Sequence, residues 1–201
     1  KCDELLIYNI NNNELNLNLL KKIVDQAFMP ITIIGGIDSI ESARSLWEIG
    51  IEKIGFNFNK TNPELIAHIA SMIGSQSIVL NIDIYKSKLG GFKIYKERYK
   101  LFKRYKELYL LINKTLGIFE HNSIGELIIQ NVDREGTRKG PDLEFINDLG
   151  KSKLDIPIIY SGGLNSIEEM EIALENSLSG LSCGAGFCFF GEEAGVLIRY
   201  F

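Results

Sequence analysis

The chain has 201 residues, 45% of them hydrophobic and 24% charged, with a formal net charge of -4. That length supports one sizeable core, so a single domain over 1–201 is expected. The acidic balance gives no general pull toward nucleic acid or a membrane surface, and no apolar run nears the roughly 18 residues of a membrane span; a cytoplasmic protein with neither partner is expected.

In chain order, short Ile- and Leu-rich runs predict strands over Leu5 to Ile10, Ile31 to Ile34, Lys53 to Phe58, Ser77 to Ile84, Leu127 to Val132, Ile156 to Ser161 and Gly180 to Gly184. Between them, apolar residues at helical spacing predict helices over Leu15 to Ala27, Ile40 to Ile49, Pro63 to Met72, Tyr99 to Phe119, Leu143 to Leu149 and Ile167 to Glu175. Ser39 and Ser166 stand as caps, and Asn62-Pro63-Glu64 puts proline in the first helical turn.

The chain repeats itself. Pro30-Ile-Thr-Ile-Ile-Gly-Gly-Ile-Asp-Ser-Ile-Glu41 is echoed by Pro157-Ile-Ile-Tyr-Ser-Gly-Gly-Leu-Asn-Ser-Ile-Glu168, and Glu4-Leu-Leu-Ile by Glu126-Leu-Ile-Ile. Two similar halves, each a series of strands and helices, predict an α/β fold: a (β/α)8 barrel built from two half-barrel repeats. Seven strands are legible where a closed barrel has eight. By the repeat, the partner of the Ser77 strand belongs before Lys1, so about 40 residues, one strand and one helix, are expected upstream. An open seven-stranded sheet is the alternative.

The Gly pairs at strand ends carry the first chemical signal. A strand end without side chains, followed by a helix start, lets backbone N–H groups approach an anion. Gly35 and Gly36 with Asn57 form one candidate phosphate cradle; Ser161, Gly162 and Gly163 with Gly184 and Ala185 form the other. A ligand with a phosphate at each end fits that symmetry; tight turns alone are the competing explanation. Asp83 closes an apolar strand where a carboxylate favours acid/base work, or else pairs with the lysines that follow. Asp133-Arg134-Glu135-Gly136-Thr137 adds polar groups to the same rim.

The segment from Tyr85 to Tyr109 is basic and aromatic, with Lys86, Lys88, Lys93, Lys96 and Arg98 interleaved with Phe92, Tyr95, Tyr99 and Phe102. A lid that attracts an anionic substrate and a solvated helix face both suit it better than nucleic-acid binding. His68 lies in a helix pattern and His121 near a helix end. Cys2, Cys183 and Cys188 lack metal-ligand spacing and read as reduced core residues, so no metal and no cofactor are expected. Glu4, Lys53 and Glu126 stand at strand beginnings and, by position alone, read as solvated or salt-bridged surface.

As a set, these motifs resemble the cyclase subunit of imidazole glycerol phosphate synthase, from Asp3 to Phe189 and most weakly between Lys86 and Ser123. The resemblance implies a barrel that takes ammonia from a glutaminase partner, as a heterodimer, and delivers it to a phosphorylated small-molecule substrate. It implies Asp83 as one of two acid/base aspartates. Gly36, Asn57, Gly136, Gly163 and Gly184 would lie beside phosphate, and Glu4, Lys53 and Glu126 would form a charged gate at the ammonia entrance. The sequence departs from the family at Asn9, Phe58, Glu135 and Ala185, and at Ile34, where the first of three glycines is lost. Its ending, Phe189 to Tyr200, resembles a paralogous branch, the glycosyl-amidation proteins of bacterial surface-glycan clusters. That branch implies ammonia delivery for an acetamidino group on a sugar. The histidine-pathway cyclase and a non-catalytic barrel scaffold are the alternatives.

Overall fold

A computed structural model describes residues 2–10, 14–60, 62–87, 91–94, 101–102, 110, 117, 123–151, 154–175, 178–190 and 195–196. Its strands are β1 Leu5–Tyr8, β2 Ile31–Ile34, β3 Lys53–Asn57, β4 Ile78–Lys86, β5 Phe92–Ile94, β6 Leu101–Phe102, β7 Glu126–Asn131, β8 Ile158–Ser161, β9 Gly180–Ser182, β10 Phe189–Phe190 and β11 Gly195–Val196. The main helices are α1 Leu17–Val24, α2 Ile40–Glu48, α3 Pro63–Ile73, α4 Leu143–Gly150, α5 Ile167–Leu174 and α6 Ala185–Cys188. In hydrogen-bonding order the principal strands run β1-β2-β3-β4-β7-β8-β9. This is the α/β barrel class with seven parallel strands.

The chain falls into two compact units, residues 1–82 with 112–127 and residues 83–111 with 128–201. In the first, β1 pairs with β2 from Leu5↔Ile31 to Tyr8↔Ile34, β2 with β3 at Thr32↔Lys53, and β3 with β4 from Ile54↔Ile78 to Asn57↔Asn81, all in parallel. Strands covered on both faces read as unbroken apolar runs rather than alternating ones. Accordingly Ile31, Ile33, Ile54, Ile78, Val79 and Leu80 are all buried. In the second unit, β8 pairs with β9 in parallel at Ile159↔Gly180 and Ser161↔Ser182.

The repeat is legible in the helix starts. Ser39 accepts from the Ser42 N–H while the Ser42 hydroxyl accepts from the Ser39 N–H; Ser166 and Glu169 make the same reciprocal pair at α5. Each such box fixes where its helix begins after a Gly pair. Asn62 caps α3 ahead of Pro63, and Gly74 ends it at φ +89°.

Three readings of the sequence need correction; the cysteines are not core residues, since Cys2 and Cys188 are exposed and Cys183 is half-buried. Asp83 does not close its strand: β4 runs on to Lys86, and its last residues pair antiparallel with β5 at Ile84↔Ile94 and Lys86↔Phe92. Helix was also expected from Tyr99, but Leu101–Phe102 is a strand paired antiparallel with β5. The rest of that helix, and most of the basic aromatic segment, lies outside the described residues. What is described of the segment packs as structure: the Phe92 ring lies 4.6 Å from that of Phe145 on α4, and Phe145 lies 6.3 Å from Tyr160 on β8.

Candidate functional site

At the N-terminal ends of the strands in the first unit, charged residues from distant parts of the chain converge. Lys53, the first residue of β3, places its Nζ 2.7 Å from Glu4 Oε2 and 2.9 Å from Glu126 Oε2. Glu4 immediately precedes β1, and Glu126 opens β7. The Thr32 hydroxyl on β2 donates to Glu4 Oε1. The three charged side chains keep between 15% and 25% of their surface exposed, so solvent reaches them without fully screening them. Partial burial alone would lower the Lys53 pKa, but hydrogen bonds and charges from Glu4 and Glu126 outweigh it and raise the ammonium above its ordinary 10.5.

A lysine held in this way contributes stability that is full below its unfolded pKa and is lost as pH rises through the folded value. Urea unfolding should therefore show the margin of the native chain over Lys53→Met intact at neutral pH and shrinking above pH 10.5. Loops entering strands lie at this same end. Among them Phe28, three residues before β2, is wholly exposed.

At the other end of β2 and β3, an open cleft of about 770 Å3 is lined by Gly35, Gly36, Asp38, Glu41, Asn57 and Lys60, with Glu14 and Leu15 before α1. The structure thus brings together the first expected cradle. Gly35 and Gly36 have φ +85° and +78°, a conformation that side chains with a Cβ rarely adopt. The Gly35 amide is spent on the Gly55 carbonyl at 3.0 Å, and the Asn9 side chain lies directly against Gly36. Ile34 packs over Gly55, where a Cβ would stand 2.5 Å from Ile34 Cγ1, so the loss of the first glycine is accommodated by a glycine on the next strand.

In the second unit, Glu135, Gly136, Arg138, Gly162, Gly163, Gly184 and Ala185 line one small hollow. Its glycines differ in kind. Gly162 and Gly163 are required by packing: a Cβ on Gly162 would stand 2.7 Å from the Asn131 carbonyl oxygen, and one on Gly163 would fall on the Gly140 carbonyl. Gly184 has no such need, since nothing lies within 4 Å of its Cβ position and its φ is -103°. Ser161 donates its hydroxyl to Glu135 Oε2 at 3.3 Å.

Arg138 went unremarked in the sequence. It is the one non-glycine residue at positive φ among those described, at +54°, and its guanidinium lies 6.0 Å from the Phe189 ring. Asp83 is half-buried on β4. Nearby in sequence to the hollow, Tyr160 is fully buried and accepts from the Asp142 N–H; burial pushes its phenol up to about 12, so it serves as a neutral hydrogen-bonding group. No group of His, Cys, Asp and Glu among the described residues is placed to hold a metal ion, and no described helix is long and apolar enough to cross a membrane.

Fold and site together define an α/β protein of the barrel class with parallel strands and glycine-lined strand ends, and, in the first unit, a lysine–carboxylate cluster at the opposite strand ends. The chain belongs to the family described as histidine biosynthesis protein, whose model matches residues 1–192. A protein of Pseudomonas aeruginosa provisionally named imidazole glycerol phosphate synthase subunit hisF2 is 31% identical over all of this chain and 80% of its own length. Imidazole glycerol phosphate synthase subunit HisF of Legionella pneumophila is 33% identical over 84% of this chain and 79% of its own length. That of Streptococcus mutans is 29% identical over 95% and 76%.

Proposed function

We propose that this chain is an ammonia-using synthase subunit of the imidazole glycerol phosphate synthase cyclase type, fed by a glutaminase partner that docks at the Glu4–Lys53–Glu126 end. The bridging of Lys53 by two carboxylates from separate strands carries this reading. A single solvated ion pair contributes little to a fold, whereas a part-buried cluster over strand N-termini controls what enters between them. The exposed Phe28 at the same end is the aromatic anchor such an interface needs.

Within β4, Asp83 is proposed as the group that takes and returns a proton. The amides of Gly136, Gly163, Gly184 and Ala185 are proposed to hold a phosphate, with Arg138 supplying the opposing charge. Open space at Gly184 supports this, because no steric or backbone requirement explains a glycine there.

The branch that serves amidination of a surface-glycan sugar is preferred over the histidine pathway, because Asn9, Phe58, Glu135 and Ala185 alter the substrate face while the lysine cluster is intact. Expression of the full-length gene in a histidine auxotroph lacking its own cyclase subunit tests this preference. Failure to restore growth while the protein still converts glutamine nitrogen with a glutaminase subunit is expected. Restored growth would favour the histidine-pathway cyclase.

A further inference from the structure

We infer that Lys93 belongs to the Asp83 site, where its ammonium holds an anionic oxygen of the substrate, and that Lys86, the other lysine of the basic segment among the described residues, takes no part. The inference deepens the reading above and rests on it for Asp83 as the group that moves a proton. Side chains alternate across a strand, and residues paired directly across an antiparallel ladder share a face. In β4, Ile82, Ile84 and Lys86 lie on one face and Asp83 and Tyr85 on the other. The ladder sorts β5 in the same way: Ile94 and Phe92 join the first face through Ile84↔Ile94 and Lys86↔Phe92, and Lys93 joins the second through Tyr85↔Lys93. The first face is the helix side. There Phe92 packs its ring 4.6 Å from that of Phe145 on α4, and Ile82, Ile84 and Ile94 are buried. Lys86 is exposed at the edge of that packing, its Nζ 6.0 Å from the centre of the Phe92 ring, as an apolar stem laid over an aromatic.

The second face carries the chemistry. Asp83, Tyr85 and Lys93 are each half-buried. Lys93 stands directly opposite Tyr85 and therefore diagonal to Asp83, a separation of about 7–8 Å that a lysine side chain spans. No ion pair among the described residues involves Lys93. A half-buried ammonium has given up part of its hydration and gains from an anion brought beside it. An anionic substrate drawn against the Asp83 carboxylate meets like charge, and a cation on the same face offsets that repulsion. Lys93 supplies the cation, and Tyr85 steadies its stem from across the ladder.

The test is titration of the full-length protein with inorganic phosphate, and in parallel with acetate, followed by the backbone amide signal of Tyr85 in NMR spectra. The native chain is compared with Lys93→Met, Lys93→Arg and Lys86→Met. Native Tyr85 is expected to shift to saturation, with binding weakened at least about tenfold in Lys93→Met, held within about threefold in Lys93→Arg and unchanged in Lys86→Met. Rescue by arginine separates the charge from the packing of the stem. The anion that binds more tightly assigns the group held as a phosphate or a carboxylate. An unmoved native Tyr85 signal, or equal losses in Lys93→Met and Lys86→Met, would overturn the inference, the second because it marks a diffuse basic surface. The Gly184 signal separates this outcome from failure of the proposed function. If Gly184 follows phosphate while Tyr85 stays still, the proposed function stands without Lys93; if Tyr85 moves and Gly184 does not, the phosphate assignment at Arg138 fails and Lys93 keeps its place.

Discussion

Lys53→Met is expected to abolish most glutamine-driven product formation, by at least about tenfold, while leaving the reaction with free ammonium salts within about threefold of native. The substitution keeps the length of the side chain and removes the charge that Glu4 and Glu126 face at 2.7 and 2.9 Å. Leaving two carboxylates together without their cation also destabilises the fold by about 2 kcal/mol, reduced from the cost of a fully buried pair because all three groups retain solvent contact. For a chain of this length that lowers Tm by roughly 4–8 °C. The ratio of glutamine-dependent to ammonia-dependent rates is the informative readout, because a purely structural lysine would lower both equally.

Gly163→Ala and Gly184→Ala are expected to behave oppositely although both glycines line the same hollow. Gly163 has φ +82°, and a Cβ there would fall on the Gly140 carbonyl oxygen with the carbonyl carbon at 3.0 Å. Gly140 also donates its N–H to Gly163 at 3.0 Å, so neither backbone segment can yield without losing that bond. A left-handed conformation costs alanine about 1–2 kcal/mol, and the clash adds to it, for a total of about 3 kcal/mol or more in urea unfolding. Gly184→Ala meets nothing within 4 Å and is expected to change stability by under about 0.5 kcal/mol. Its effect should instead be a loss of phosphate affinity of about tenfold, read by titration, because the new methyl would occupy the open space proposed for the anion. If Gly184→Ala leaves phosphate binding untouched, the hollow at Arg138 is not the anion site.

The alternation of strand and helix was legible because each level of the sequence agreed with the others. Ile31–Ile34 and Ile78–Leu80 are unbroken apolar runs, as parallel strands buried on both faces must be, and Ser39 and Ser166 capped their helices as their spacing indicated. The hairpin after β4 was missed because Tyr95, Tyr99 and Phe102 also fall at helical spacing. The alternation Ile82-Asp83-Ile84-Tyr85-Lys86 and the glycine at 91, with φ +71°, were the signals that pointed to a longer strand and a turn.

At the candidate site, the glycines alone were ambiguous. Sequence cannot tell Gly163, needed by a neighbouring carbonyl, from Gly184, which has open space around it. The convergence of Glu4, Lys53 and Glu126 was invisible to position and spacing, since charged residues at strand beginnings ordinarily face water, and only the family resemblance grouped them. Arg138 gave no signal at all, because left-handed backbone at a non-glycine residue is a product of the surrounding loop.

The most direct measurement is titration calorimetry of the full-length protein against the glutaminase-type subunit of the same organism. A one-to-one complex with Kd at or below about 1 μM is expected, weakened at least about tenfold by Phe28→Asp, since an aromatic wholly exposed in the free chain and serving as the proposed anchor would be buried only in the complex. Absence of any complex at partner concentrations of about 100 μM would contradict delivery of ammonia at the Lys53 end.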